Sequence, residues 1–310
     1  MQNILLFAVS SLIWGSTWLM ITFQLGKVAP IVSVAYRFGL ASLILLVFCF
    51  FTKRKFNYKK SDQLLILMQG LLLFGFNYWF TYLAIENITS ALAAILSTSI
   101  VYFNVVFSRI FLGDPIKKEV LFGATLGVVG IILIFMPEIQ LNEGQSEQAI
   151  QDTWKGISLL LIGSLFASLG NIVSAKAQRR KIPVIQTNAL SMGYAAMLIA
   201  LIAFITGAEF NFDTSFSYIG SLVYLALFGS VLAFGAFLTL LGRIGPDKAG
   251  YVTLVFPVIA MVLSTFFESY HWTSEGIIGL LLILLGNLIA MGKLNKLPLV
   301  NKVLSAKVAD

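Results

Sequence analysis

The chain has 310 residues, of which 58% are hydrophobic and 11% charged, with a mean hydropathy of +0.91. Soluble domains carry about 25% charged and about 45–50% apolar residues, so this composition excludes an ordinary water-soluble globule and indicates an integral membrane protein. One cysteine (Cys49) and one histidine (His271) exclude a disulfide framework and a metal-ligand cluster, no cofactor is expected, and the net charge of +7 needs no nucleic-acid partner once its placement is traced.

Apolar runs of about 20 residues predict membrane-spanning helices. Ten are found in chain order: 3–25, 30–51, 62–85, 88–112, 118–136, 155–176, 184–207, 216–241, 246–268 and 274–292. No run alternates polar and apolar residues as a spanning strand would, so the expected class is all-α integral membrane. The first run lacks a basic flank and is interrupted by Trp14 and Trp18, which fits a retained span better than a cleaved signal.

The charges test this division. With the N-terminus in the cytoplasm, 18 of the 21 Lys and Arg lie nearer the cytoplasmic face, including "KRKFNYKK" (53–60) and the tail from Lys293. Lys27 and Lys155 fall outside and Arg37 falls within the second span, while Glu86, Glu138, Glu143, Glu147, Asp152, Glu209, Asp213, Glu268 and Glu275 all fall outside. A missed helix would put every later loop on the wrong side. The positive-inside rule thus supports ten spans with both termini cytoplasmic, and the 53–60 run is also expected to meet anionic lipid.

The long polar loop divides the spans five and five. The expected organisation is a five-helix repeat over 1–136, an extracytoplasmic loop over 137–154, a second five-helix repeat over 155–292 and a basic cytoplasmic tail over 293–310. "GATLGVVGIILIF" (123–135) resembles "GLLLILLGNLIAM" (279–291), and "SLIW" (11–14) resembles "SLFA" (164–167). Because five is odd, the second repeat enters the membrane from the opposite side. Such inverted repeats let a carrier exchange inward and outward openings around a midplane site.

Several polar side chains sit deep in these spans. Ser11, Trp14, Gly15, Trp18 and Thr22 share one face of the first helix. A mid-membrane indole N–H needs a partner that lipid cannot offer, so Trp14 and Trp18 are read as lining a cavity, with plain helix packing as the alternative. Asn77, Tyr78 and Tyr82 repeat the pattern on the third helix, and Thr98 and Tyr102 on the fourth. Asn171 and Tyr224 are the corresponding candidates in the second half. Pro257 removes a backbone donor inside the ninth span, and a packing kink and a gating kink both fit. Arg37 lies seven residues into its span, where its guanidinium could hold a substrate carboxylate, cap helix carbonyls or reach the outer headgroups. "GATLG" (123–127) fits a close helix contact, either within the chain or between copies.

With "IWGSTW" (13–18), Pro30 to Arg37, "LGDPIKKEVLFGATLGVVGIIL" (112–133), "VFPVIAMVLSTFF" (255–267) and "GLLLILLG" (279–286), the chain resembles the ten-helix EamA-type members of the drug/metabolite transporter superfamily, bacterial inner-membrane carriers. It departs from their pattern at Asp114, where Glu is commoner, and at Ser99, which stands where the first half would match Pro257. The resemblance implies a multi-pass inner-membrane carrier or exporter of small polar metabolites. Arg37 makes a carboxylated solute such as an amino acid attractive. A multidrug or cation efflux carrier and a channel are the alternatives.

Enzyme chemistry is not expected, since no paired mid-span carboxylates, no His-centred base and no phosphate-binding loop are found. The expected partners are a small-molecule substrate and the bilayer. The sequence leaves the oligomeric state open, and a monomer would suffice.

Overall fold

The computed structural model describes residues 2–113, 115–116, 118–139, 146–244 and 252–290, so Asp114 and the basic tail 293–310 lie outside the described residues. All regular structure among them is helical: α1 (Gln2–Thr22), α2 (Pro30–Phe51), α3 (Lys60–Ile85), α4 (Ser90–Leu112), α5 (Lys118–Ile139), α6 (Glu147–Arg179), α7 (Val184–Ile205), α8 (Phe216–Tyr224, Leu225–Leu232 and Ala233–Ile244 run together), α9 (Val252–Phe267) and α10 (Ser274–Ala290). The first eight are long and apolar enough to cross a membrane, while the apolar stretches of α9 and α10, Val255–Phe267 and Ser274–Ile289, are shorter. Phe50, Phe216 and Phe266 stand on the outside of the bundle, where hydrocarbon rather than water is their solvent.

Local chemistry sets the ends. Pro30 opens α2 with its φ already helical and no N–H to lose. The Thr89 and Ser215 hydroxyls accept from the backbone N–H groups of Leu92 and Tyr218 at the starts of α4 and α8. Gly113, at φ +79°, closes α4 in the left-handed conformation. The clearest boundary difference from the expected spans is at α6, which starts at Glu147 rather than 155. Ser146 caps it by accepting from Ala149 N at 3.2 Å, and the Gln148 amide donates to Asp152 at 3.0 Å, so the last part of the polar loop is helical.

Three helices depart from regular α geometry. Gly70–Phe76 in α3 and Leu225–Leu232 in α8 are π-helical. In both, the following backbone N–H (Asn77, Ala233) reaches back five residues, to Leu72 and Phe228. Such segments are rare and concentrate at functional sites. The helix of α4 is interrupted at Thr98–Ser99, where Ser97 and Thr98 donate their hydroxyl hydrogens to the carbonyls of Ala94 and Ile95, both at 2.7 Å. That back-bonding bends the helix at the place where the first half lacks the proline of α9.

The most extensive helix contacts are related by exchange, the helices numbered five away touching as well, while smaller contacts such as α1 on α4 and α2 on α3 have no such counterpart of similar extent. α2 pairs with α7, α4 with α9 and α5 with α10; α1 on α9 answers α6 on α4, α1 on α8 answers α6 on α3, and α2 on α8 answers α7 on α3. The α5–α10 crossing is close, as is α3 on α7, where Gly70 lies against the Ser191 carbonyl. A Cβ on Gly130 would stand 2.5 Å from the Gly279 carbonyl oxygen and the reverse holds for Gly279, while Gly286 lies against the Gly123 carbonyl. The glycine pattern at 123–130 therefore serves a contact within the chain. The main apolar core sits where α2, α3 and α7 meet, around Phe38, Phe74, Tyr82, Met192 and Ile199.

Candidate functional site

Arg37 of α2 lies at the junction of α1, α2, α3 and the π segment of α8, and it is 1% exposed. Its guanidinium carbon sits 4.4 Å from the ring centre of Tyr78 and 5.2 Å from that of Phe38. Nε donates to the Ser230 hydroxyl over a long 3.4 Å, and that hydroxyl donates in turn to the Leu225 carbonyl at 3.0 Å, five residues back. Nη2 faces Gly229, where an added Cβ would stand 3.4 Å away. Nη1 is buried without a hydrogen-bond partner, and among the described residues no carboxylate pairs with the group. Burial rules out the headgroup-reaching role for Arg37. A charge in a span costs about 2.5 kcal/mol or more, and ring contacts return about 0.5–2 kcal/mol. The site therefore holds an incompletely compensated positive charge.

The π segment of α8 arranges the rest. Gly229 O accepts the Trp14 indole N–H at 3.3 Å, and Trp14 packs edge-on against Phe234 at 5.1 Å. Ser16 of α1 and the Tyr224 hydroxyl are hydrogen-bonded at 2.7 Å. A cavity of about 480 Å³ begins at Ser230, bounded by Leu6 and Val9 of α1, Ile44, Leu45 and Phe48 of α2, Ile185 and Asn188 of α7, and Val231, Leu232, Phe234, Gly235, Ala236 and Thr239 of α8. That volume is within the range of small-molecule sites, about 300–1,000 Å³. Its wall is mostly apolar, with Asn188, Ser230 and Thr239 as the polar side chains. It occupies the half of the bundle toward the start of α1, the end of α2, the start of α7 and the end of α8.

The opposite ends of these helices are tied together. The Gln24 amide donates to Tyr218 O at 2.9 Å and to Ser221 Oγ at 2.6 Å, and the Tyr218 hydroxyl meets Ser33 Oγ at 2.9 Å. Tyr36 donates to Asn211 O at 3.1 Å, Asn211 donates to Lys27 O at 2.8 Å, and Lys27 pairs with Asp213 at 3.3 Å. The Asp213 carboxyl is held below its usual range first by the Ser215 backbone N–H, then by the Ser215 hydroxyl and the Lys27 ammonium. Nearby, Glu268 after α9 accepts from both the backbone N–H (3.1 Å) and the hydroxyl of Ser90, at the start of α4.

The residues singled out from the sequence fall into three groups. Trp14, Tyr78, Tyr82 and Arg37 come together around the π segment. Tyr82 is fully buried there, its hydroxyl close enough to feel the Arg37 charge but making no hydrogen bond of good geometry. Trp18 stacks on Phe256 at 6.3 Å, and Tyr224 stacks on Phe228 at 5.0 Å. The others engage neighbouring helices. Asn77 donates to its own Leu73 carbonyl at 3.1 Å, and Thr98 sits at the α4 break. The Tyr102 hydroxyl lies against Gly127 and Gly286, and Asn171 donates over 3.4 Å to Asn104, which also accepts from Ser168 at 2.8 Å. Pro257 is buried inside α9. None of these residues is on the wall of the 480 Å³ cavity. The Trp14 indole N–H finds a partner in the Gly229 backbone carbonyl of the π segment.

The cavity-lining Ser230 and Phe234 and the Gln24–Tyr218 tie were not anticipated. "LFG" at 73–75 recurs at 227–229, with Gly75 and Gly229 both inside π segments, but it also stands at 121–123 in ordinary α-helix and so does not mark them by itself.

Eight apolar spans and a mostly apolar cavity beside a buried, incompletely compensated charge define a polytopic membrane protein with room for a small molecule. The sequence pattern of the EamA-like transporter family matches residues 1–136 and 154–292, and the chain belongs to that family. Among relatives, the protein named "Uncharacterized inner membrane transporter YedA" of Escherichia coli strain K12 is 29% identical over 273 residues, covering 86% of this chain and 85% of that protein. "Uncharacterized transporter YoaV" of Bacillus subtilis strain 168 is 24% identical, covering 89% and 92%. "Protein PagO" of Salmonella typhimurium is 21% identical, covering 91% and 90%. A solved protein crystal structure superposes with a TM-score of 0.64 at 17% identity over 93% of this chain and 96% of that one, a likeness of fold.

Proposed function

We propose that the protein is an alternating-access carrier of the bacterial inner membrane that exports small polar metabolites such as amino acids, with both termini cytoplasmic and the two five-helix halves as inverted repeats. The observation that carries this reading is an asymmetry laid over the exchanged helix contacts. The ends of α1, α2, α7 and α8 enclose a cavity on one side. In the exchanged set (the start of α6, the end of α7, the start of α2 and the end of α3) Leu160, Ile199, Val34, Phe38 and Tyr82 are fully buried, whereas Phe48 and Leu232 on the cavity wall are exposed. An accessible set of helix ends and a buried exchanged set are what a rocking carrier needs in either of its end states. On the expected topology the cavity faces the cytoplasm and the Gln24–Tyr218 tie closes the outer side.

A channel reading is disfavoured by that closure, and a cation carrier by the positive charge at the cavity's end. The test is counterflow in proteoliposomes loaded with candidate solutes. Uptake of labelled solute should saturate and be accelerated by unlabelled solute on the far side. Flux that rises linearly without such acceleration would instead indicate a channel.

A further inference from the structure

Arg37 is the one charged side chain buried among the described residues, and its Nη1 lacks a partner. The hydroxyl it does reach, Ser230 Oγ, is on the cavity wall, so the guanidinium is separated from the cavity by a single small side chain held through a 3.4 Å contact. Beyond Ser230 the wall is apolar on all four helices: Val9, Leu45, Phe48, Ile185 and Phe234. Two neutral groups interrupt it. Asn188 Oδ1 already accepts from the Gln69 amide at 3.1 Å, and the Thr239 hydroxyl donates to Gly235 O at 2.8 Å. No described carboxylate faces this space.

Resting on the alternating-access part of the reading above and replacing its amino-acid example, we infer that the transported solute is an organic monoanion with an apolar body, its carboxylate replacing Ser230 at Arg37 and its body lying against Leu45, Phe48 and Phe234. The missing counter-ion of Arg37 is thus supplied by the solute itself, which makes a charge-assisted pair of the kind guanidinium groups form with carboxylates. An α-ammonium group would follow its carboxylate to within about 6 Å of the guanidinium, close enough for like charges to oppose each other. No carboxylate on the wall offsets that repulsion. The site therefore prefers a branched or aryl carboxylic acid over the amino acid of the same side chain.

The experiment measures solute-dependent thermal stabilisation of the purified full-length protein, read as apparent Kd, with matched probes. These are 3-phenylpropanoate and its permanently ionised analogue 2-phenylethanesulfonate, then phenylalanine, phenethylamine and 3-phenylpropanamide. The two anions should bind at least about tenfold more tightly than phenylalanine, a difference of about 1.4 kcal/mol, with the amine and amide weaker still. In Arg37→Gln the anion-to-amide ratio should fall to about one.

The inference is overturned if the amine or amide matches the anions, if phenylalanine outbinds them, or if Arg37→Gln keeps the ratio. It is equally overturned if no probe binds while another solute gives saturable counterflow, and the carrier reading then stands. If no solute at all exchanges by counterflow, the carrier reading fails first and takes this one with it.

Discussion

Arg37 shows how a single residue can be costly for the fold and useful for transport. Its guanidinium leans on Tyr78 and Phe38, gives one long bond to Ser230 and leaves Nη1 without a partner. A structure selected only for stability would hold an apolar side chain here. Arg37→Met fills similar space without the charge. It should raise the thermal midpoint of the solute-free protein by about 2–4 °C, the shift expected for about 1 kcal/mol in a chain of this class, while abolishing counterflow. A fall in midpoint together with lost transport would mean that the charge serves the fold instead. Strain of this kind, tolerated at one position because the rest of the bundle determines it, is a common mark of a functional site.

At the scale of whole helices, close backbone approach governs the α5–α10 crossing and π geometry governs α3 and α8. Without hydrocarbon exclusion to drive helices together, small residues that let backbones touch are the main source of association. Gly279→Val places a branched side chain where the Gly130 carbonyl oxygen and Ile134 already stand, 2.5 and 2.6 Å from the new Cβ. Overpacking of this type costs about 1–3 kcal/mol. Thermal unfolding in detergent should show that loss, whereas Gly220→Val, at a position with open space around it, should leave the midpoint in place. Equal effects from the two would remove the crossing from any special role.

The helices themselves were legible because about 20 apolar residues in a row have few alternatives in a membrane protein. The π segments were not legible. They arise from a register shift of one residue that leaves composition and periodicity almost unchanged, and the "LFG" they share also occurs at 121–123 in ordinary α-helix. For the same reason the break in α4 escapes a search for proline: Ser97 and Thr98 produce it by hydrogen bonding.

Across the whole molecule, what the sequence conveyed about the site was the depth of each polar residue, and what it withheld was direction. Asn171 and Tyr102 are as deep as Arg37, yet one bonds to Asn104 and the other meets two glycines of α5 and α10. Which face of a helix meets a cavity depends on crossing geometry, and here the cavity lies at one end of α1, α2, α7 and α8 while their other ends are tied together. That asymmetry yields the last prediction. If the carrier rocks, the ties of Gln24 to Tyr218 and Ser221 hold the outer side shut, and loosening them should shift the population toward an outward-open state with the inner cavity closed. Cys49 is fully buried and can be replaced by alanine, leaving a background without thiols. In that background Thr239→Cys places a single thiol on the cavity wall. A membrane-impermeant maleimide should label it in inside-out vesicles and not in right-side-out ones, which checks the cytoplasmic placement of the cavity. Adding Gln24→Ala should slow that labelling several-fold, because each tie is worth about 0.5–1.5 kcal/mol and a shift of 1.4 kcal/mol changes a two-state ratio tenfold. Labelling at an unchanged rate would show that the outer ties do not control the inner opening. The two ends of the bundle would then be independent, and a rocking mechanism could not be sustained.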